Sequence, residues 1–185
     1  MGNFKKRAQT IKGEDAEALV IQFLVDQGCT VYRAHASCND RPHPIDMLAI
    51  HREKLKIFAV ECKCKARRTY YPDTGIDLRH YGIYSAIQKH NDVDVYLFFI
   101  DEYLKKIYGN YLSVLDRKRI IEHEGRKIEY PKIEPSKIYF PLSAMVDIAT
   151  IPENKADFYK SLSRRSYTYE PDSEQIDFFH QQAAA

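Results

Sequence analysis

In the segment GEDAEALVIQFLVDQG (13–28), apolar residues recur every three or four positions, at Ala16, Leu19, Val20, Phe23 and Leu24. That rhythm predicts an amphipathic helix. Acidic residues crowd its expected first turn, where the helix dipole favours them, and Gly28 stands where a C-cap belongs. CTVYRAH (29–35) then reads as a strand and ASCNDRPHP (36–44) as a turn-rich loop. PIDMLAI (44–50) and KIFAVECK (56–63) are two further strands around HREKL. RRTYYPDTGID (67–77), punctuated by Pro72 and Gly75, reads as a loop, and LRHYGIYSAIQKH (78–90) suits a helix. DVDVYLFFID (92–101) is a strongly apolar strand.

Helix, three strands, helix and strand in that order make an α/β pattern. Beyond residue 101 the chain turns more β-like: YGNYLSVLD, RIIEHEG, RKIEYP and KIYFPL are short candidate strands. The middle pair is expected to form a hairpin around Glu124-Gly125. PENKADFYKSL starts with Pro152 and suits a final short helix. A frayed basic start (1–11) and a flexible or loosely docked polar tail (163–185) are expected at the ends of a single domain spanning 1–162.

Composition narrows the class. With 185 residues, 44% of them hydrophobic and 29% charged, the chain reads as one soluble globular domain able to bury a substantial core. A net charge of +2 does not by itself demand a nucleic-acid partner, so any such partner must be argued from where the charges sit. No apolar run approaches the ~20 residues of a membrane span. The start MGNFKKRAQTIKG lacks the apolar core of a secretory signal, so a cytoplasmic address and no membrane partner are expected. Cys29, Cys38, Cys62 and Cys64 contain no CxxC pair, which fits reduced thiols. His35, Cys38 and His43 would give a zinc ion three ligands with no clear fourth, so ordinary loop residues are the expectation there.

The chemistry lies in the 44–64 hairpin. Folded about a two-residue turn at Glu53-Lys54, it has partner numbers summing to 107, which sets Asp46 opposite Glu61. Asp46 and Glu61 share a face with Leu48, Ile50, Ile57 and Ala59; Met47, Ala49, Phe58, Val60 and Cys62 take the other. Both faces are apolar, as in central strands covered on each side. Two adjacent carboxylates there repel each other and lose hydration unless something positive sits between them. A divalent cation supplies that charge, and oxygen ligands suit magnesium. Lys63, two residues along the same face, could orient a water or stabilise charge building on a phosphate. The competing reading is a buried salt bridge between Lys63 and one acid, without chemistry.

PID (44–46) followed by ECK (61–63) resembles the PD-(D/E)XK nuclease signature, with Ile45 between the proline and the aspartate. KGEDAEALVIQFLVDQGCTVYRAHAS (12–37) resembles the opening helix and strand of archaeal Holliday-junction resolvases and their restriction-endonuclease-like relatives. The resemblance covers about residues 12–101 and implies a central mixed sheet flanked by helices, here with an additional C-terminal β-hairpin segment (102–162). It also implies a magnesium or manganese requirement and a homodimer. Carried over, Asp46 and Glu61 would bind the metal, with Glu17 joining from the helix (Glu14 as fallback) and the backbone carbonyl of Cys62 as a further ligand. Lys63 would serve the attacking water.

KCKARRTYY carries the cations a polyanionic backbone requires, Lys65, Arg67 and Arg68, followed by Tyr70 and Tyr71, which can stack on unpaired bases. Arg41 and the cluster Lys5, Lys6, Arg7 and Lys12 could extend that surface. His80, Tyr84 and Gln88, spaced four apart, could turn one helix face into the cleft. The expected function is a metal-dependent endonuclease acting on DNA, with a Holliday-junction resolvase as the nearest alternative. A non-catalytic DNA-binding or assembly factor, a small-molecule phosphoesterase and an RNA-cleaving enzyme are the other readings.

Overall fold

The computed structural model describes residues 8–33 and 45–163. Its first half runs α1 (Ala8–Asp26), β1 (Cys29–Arg33), β2 (Met47–His51), β3 (Lys56–Cys64), β4 (Asp73–Asp77), α2 (Leu78–Asn91) and β5 (Asp94–Asp101). Then follow β6 (Lys106–Tyr111), α3 (Leu112–Leu115), β7 (Arg119–His123), β8 (Arg126–Tyr130), β9 (Lys132–Glu134), β10 (Lys137–Pro141), β11 (Val146–Thr150) and α4 (Glu153–Ser161). A six-stranded sheet in the order β1-β2-β3-β5-β6-β11 forms the centre, with β3 and β5 parallel and the other neighbours antiparallel. A three-stranded sheet β4-β10-β9 and the β7-β8 hairpin complete the β-structure. This is the mixed sheet flanked by helices that the resemblance implied.

Alternation along the strands splits the core into two layers. Met47, Ala49, Phe58, Val60, Phe98 and Ile100 pack with Ala16, Val20 and Leu24 of α1 and with Ala156 and Tyr159 of α4. Ala59, Val95, Leu97 and Phe99 pack on the opposite side with Tyr84 of α2, Leu112 and Leu115 of α3, and Ile138 and Phe140 of β10. The β2–β3 register is the anticipated one, with Met47 opposite Val60 and Ile50 opposite Ile57. The connection is longer than expected: residues 52–55 turn, with Leu55 at φ 49°. Coverage differs too. Leu48 and Ile57 are exposed, so the face that carries Asp46 and Glu61 is open toward the turn and buried only toward the acids.

Other expectations need correction. α1 begins by Ala8, so Glu14, Asp15 and Glu17 lie inside the helix, too deep for a first-turn dipole interaction to explain them. Gly28 does sit just past the helix at φ 81°, a conformation glycine adopts without a Cβ penalty. The expected loop 67–77 contains β4, paired with β10 from Lys137↔Asp77 to Pro141↔Asp73. Gly75 permits that pairing: a Cβ there would lie 2.3 Å from the Ile138 carbonyl oxygen. YGNYLSVLD divides into β6 and the single turn of α3, while β9 and β11 were not expected. The Glu124-Gly125 hairpin is as anticipated, with both residues at positive φ. Among the described residues no helix is long and apolar enough to cross a membrane. The fraying expected over 1–11 does not hold for 8–11, which belong to α1. Residues 1–7, the tail beyond Ser163, the basic residues Lys5, Lys6, Arg7 and Arg41, and the His35, Cys38 and His43 set lie outside the described residues.

Candidate active site

Asp46 immediately precedes β2, and its N–H donates to the Val60 carbonyl at 3.2 Å. Its side chain closes the end of the β2–β3 ladder: Oδ2 accepts the Cys62 N–H at 2.7 Å. That bond anchors Asp46 beside Glu61, whose carboxylate is 4% exposed and accepts from the Lys63 ammonium. On the other side lies Tyr84 of α2, whose hydroxyl pKa is raised by burial and then by the nearby Glu61 charge. Strand register, one backbone N–H and one ion pair thus bring Asp46, Glu61 and Lys63 together.

Their electrostatics record mutual strain. Burial, and then the neighbouring Glu61 charge, push the Asp46 carboxyl up to about 6, although the Cys62 N–H and Lys63 pull the other way. Burial works against the Lys63 ammonium, but Glu61 and Asp46 together outweigh it and raise its pKa, so Lys63 is a cation at neutral pH. Glu17 feels the same field: burial and the Asp46 charge raise its pKa, partly offset by Arg33 at 3.7 Å. Even with Lys63 in place, the acids remain short of positive charge. Hard carboxylate oxygens with unrelieved repulsion are a donor set that suits a divalent cation. Among the described residues, no three His, Cys, Asp or Glu side chains converge closely enough to hold one by themselves.

Lys63 also lines a cleft of about 800 Å³ that holds Lys65, Arg67, Tyr70, Tyr103 and Lys137. Lys65 donates from Nζ to the Gly75 carbonyl at 3.0 Å, and the Arg67 backbone N–H bonds to Asp101 at 2.9 Å, which fixes both on the wall. Three residues expected to contact DNA have other tasks. Lys12 is 7% exposed and pairs with Glu102 at 2.5 Å, its ammonium consumed inside the protein. Arg68 makes a bidentate contact with Asp73 (2.6 and 2.5 Å) and a third bond to Glu134 at 2.8 Å, while its plane lies 3.7 Å from the Tyr139 ring centre. Its charge is matched, so it anchors the loop to the small sheet. Tyr84, 1% exposed, is sealed in the core behind Glu61. His80 lies one turn before Tyr84, with ring centres 6.2 Å apart, and feels the Lys63 charge; burial and that charge lower its pKa. Cys62 and Cys64 pack against the α1-side core, as their alternation with the charged residues required. The approach of Tyr84 to Glu61 and the Glu102 counter-ion, 90 residues from Lys12, had no local signal in the sequence, whereas Asp73 stands five residues from Arg68.

The fold is a mixed α/β one, a central mixed sheet flanked by helices. Residues 8–75 match the family model of the archaeal Holliday junction resolvase, Hjc. Among solved structures, Hjc from Archaeoglobus fulgidus, a Holliday junction resolvase, has the same fold at TM-score 0.51 and 12% identity; the match covers 78% of this chain and 99% of that one. A nuclease from a fusselovirus aligns at TM-score 0.40 and 15% identity, over 82% of this chain and 96% of that one. No curated protein matches.

Proposed function

We propose that this chain is a metal-dependent endonuclease that hydrolyses phosphodiester bonds in DNA. The observation that carries the reading is the convergence of Asp46, Glu61 and Lys63, with Lys63 also lining a cleft that holds further cations. Asp46 and Glu61, joined by Glu17, would hold magnesium or manganese, with the Cys62 carbonyl as a further ligand. The ion would let both acids stay ionised, polarise a phosphoryl oxygen and acidify water. Among the described residues no three such side chains hold an ion by themselves, and magnesium commonly completes its shell with waters and substrate phosphate oxygens. Lys63, held protonated, is a hydrogen-bond donor rather than a proton acceptor. It orients the attacking water or stabilises the charge that builds on the phosphate as the bond breaks. Lys65 and Arg67 draw the backbone along the wall.

A junction-resolving enzyme is the more specific reading, favoured by the match of residues 8–75 to the resolvase model and by the shared fold. The test is a cleavage panel of supercoiled plasmid, linear duplex, flapped strand and four-way junction, each with magnesium, manganese or chelator. Wild-type protein should cut only with a divalent cation, and Asp46→Asn should bind without cutting. Cleavage by Asp46→Asn at the wild-type rate, or undiminished in chelator, refutes the site. Symmetric nicks in the four-way junction alone establish the resolvase reading.

A further inference from the structure

Four tyrosines line the cleft, Tyr70, Tyr71, Tyr103 and Tyr139, and their surroundings differ. Arg68 lies 3.7 Å from the centre of the Tyr139 ring and 4.4 Å from that of Tyr71, while Lys132 covers Tyr71 at 4.9 Å. Lys160 approaches the Tyr103 ring at 5.9 Å. Tyr70 is different. It is 82% exposed, and among the described residues its ring meets neither a cation nor another ring.

A single exposed aromatic is ordinary on a protein surface, so the case rests on how this one is presented. Its carbonyl accepts the His123 Nε2–H from the β7–β8 hairpin at 3.1 Å. The next turn is closed on both sides, by Arg68 N–H to the Asp73 carbonyl (2.9 Å) and Asp73 N–H to the Tyr71 carbonyl (2.8 Å). The backbone under Tyr70 is therefore fixed, while the ring projects into water on the cleft shared with Lys63, Lys65 and Arg67. A polyanion laid on those cations brings its bases to the level of the ring. Within continuous duplex each base already has both faces covered by its neighbours, leaving the ring nothing to stack on; an unpaired base offers an open face.

We propose that Tyr70 is a stacking platform for an unpaired base next to the cut phosphate, so that the substrate is DNA with a locally open nucleotide, such as a branch point or a flap junction. This deepens the nuclease reading and rests on it for the position of the cut. The experiment measures binding in chelator, where hydrolysis plays no part, to a flap or branched DNA carrying 2-aminopurine at successive positions around the junction, and to the fully paired duplex. Wild-type protein should bring about a stacking-dependent fluorescence change at one or two adjacent positions. Tyr70→Ala should remove that change and weaken binding to open DNA by about 5- to 150-fold, with duplex binding unaltered. Tyr70→Phe should behave as wild type. Because the side chain is largely solvated, either variant should fold. Equal affinity of wild type and Tyr70→Ala for open DNA, equal losses on open and paired DNA, or no binding to either overturns the proposal. A Tyr70-dependent signal in a protein that never cuts would overturn the hydrolytic assignment alone.

Discussion

Replacing Asp46 by asparagine should remove cleavage and, in the absence of metal, make the protein more stable. Burial and the Glu61 charge raise the Asp46 pKa from the usual 3.8 to about 6. A carboxyl whose folded-state pKa lies above its unfolded one binds its proton more tightly in the native state. Its ionisation therefore costs folding free energy: nothing below about pH 4, a growing penalty up to about pH 6, and the full amount above that. Two units correspond to roughly 3 kcal/mol at ~1.36 kcal/mol per unit, and screening at this partly exposed carboxylate reduces that to about 1–2 kcal/mol. The amide oxygen of asparagine can still accept the Cys62 N–H, so the ladder end stays closed. Urea unfolding in chelator should show Asp46→Asn more stable than wild type by about 1–2 kcal/mol near pH 8, with the advantage gone near pH 4. Added magnesium should stabilise wild type and leave the variant unmoved, since only a ligand that binds the native state shifts the balance. A variant less stable than wild type near pH 8 without metal would mean that no charge repulsion is stored at this site, and the case for a cation between the acids would fail.

Tyr84→Phe deletes only the hydroxyl that can donate to Glu61 and keeps the buried ring. Losing a hydrogen bond to a charged group is worth roughly 1.5–3 kcal/mol, so cleavage kcat should drop about 10- to 100-fold with DNA affinity unchanged; an unaltered kcat would remove Tyr84 from Glu61's support. Gly75→Ala would bring a methyl within 2.3 Å of the Ile138 oxygen and 2.7 Å of Tyr139 Cδ1. It should lower stability by about 1–3 kcal/mol or more, read as a fall in Tm, and an unchanged Tm would show that β4 and β10 do not approach so closely.

The parts of this fold that sequence could deliver are those built from neighbours. α1, the β2–β3 register, β5, α2 and the Glu124-Gly125 hairpin follow from periodicity and turn chemistry acting over a few residues. The pairing of Asp46 with Glu61 was legible for that reason: one hairpin register fixes it. β4 was not, since Asp73, Gly75 and Asp77 are weak strand formers, and the segment becomes a strand only against β10, 60 or more residues away. Charge misled in the same way. Lys12 looks like a phosphate ligand because its acid, Glu102, lies 90 residues along the chain; Arg68 has Asp73 five residues away, but its second acid, Glu134, lies 66 residues along. Tyr84 read as a cleft aromatic because helix spacing reveals a face but not what the face meets. Where a counter-charge is distant in sequence, a basic motif overstates the surface available to a polyanion.

Arg68 has a consequence for how this protein can be divided. Its guanidinium binds Asp73 from the first half of the chain and Glu134 from the second, while Tyr130 closes on the same Asp73 carboxylate at 2.7 Å. Trimming the chain back to its motif-bearing portion would leave Asp73, fully enclosed, with one partner in place of two, and strip β6 and β11 from the main sheet. What looks from sequence like an appendage on a minimal catalytic module is thus part of its foundation, so the smallest unit able to stand alone must reach past β11.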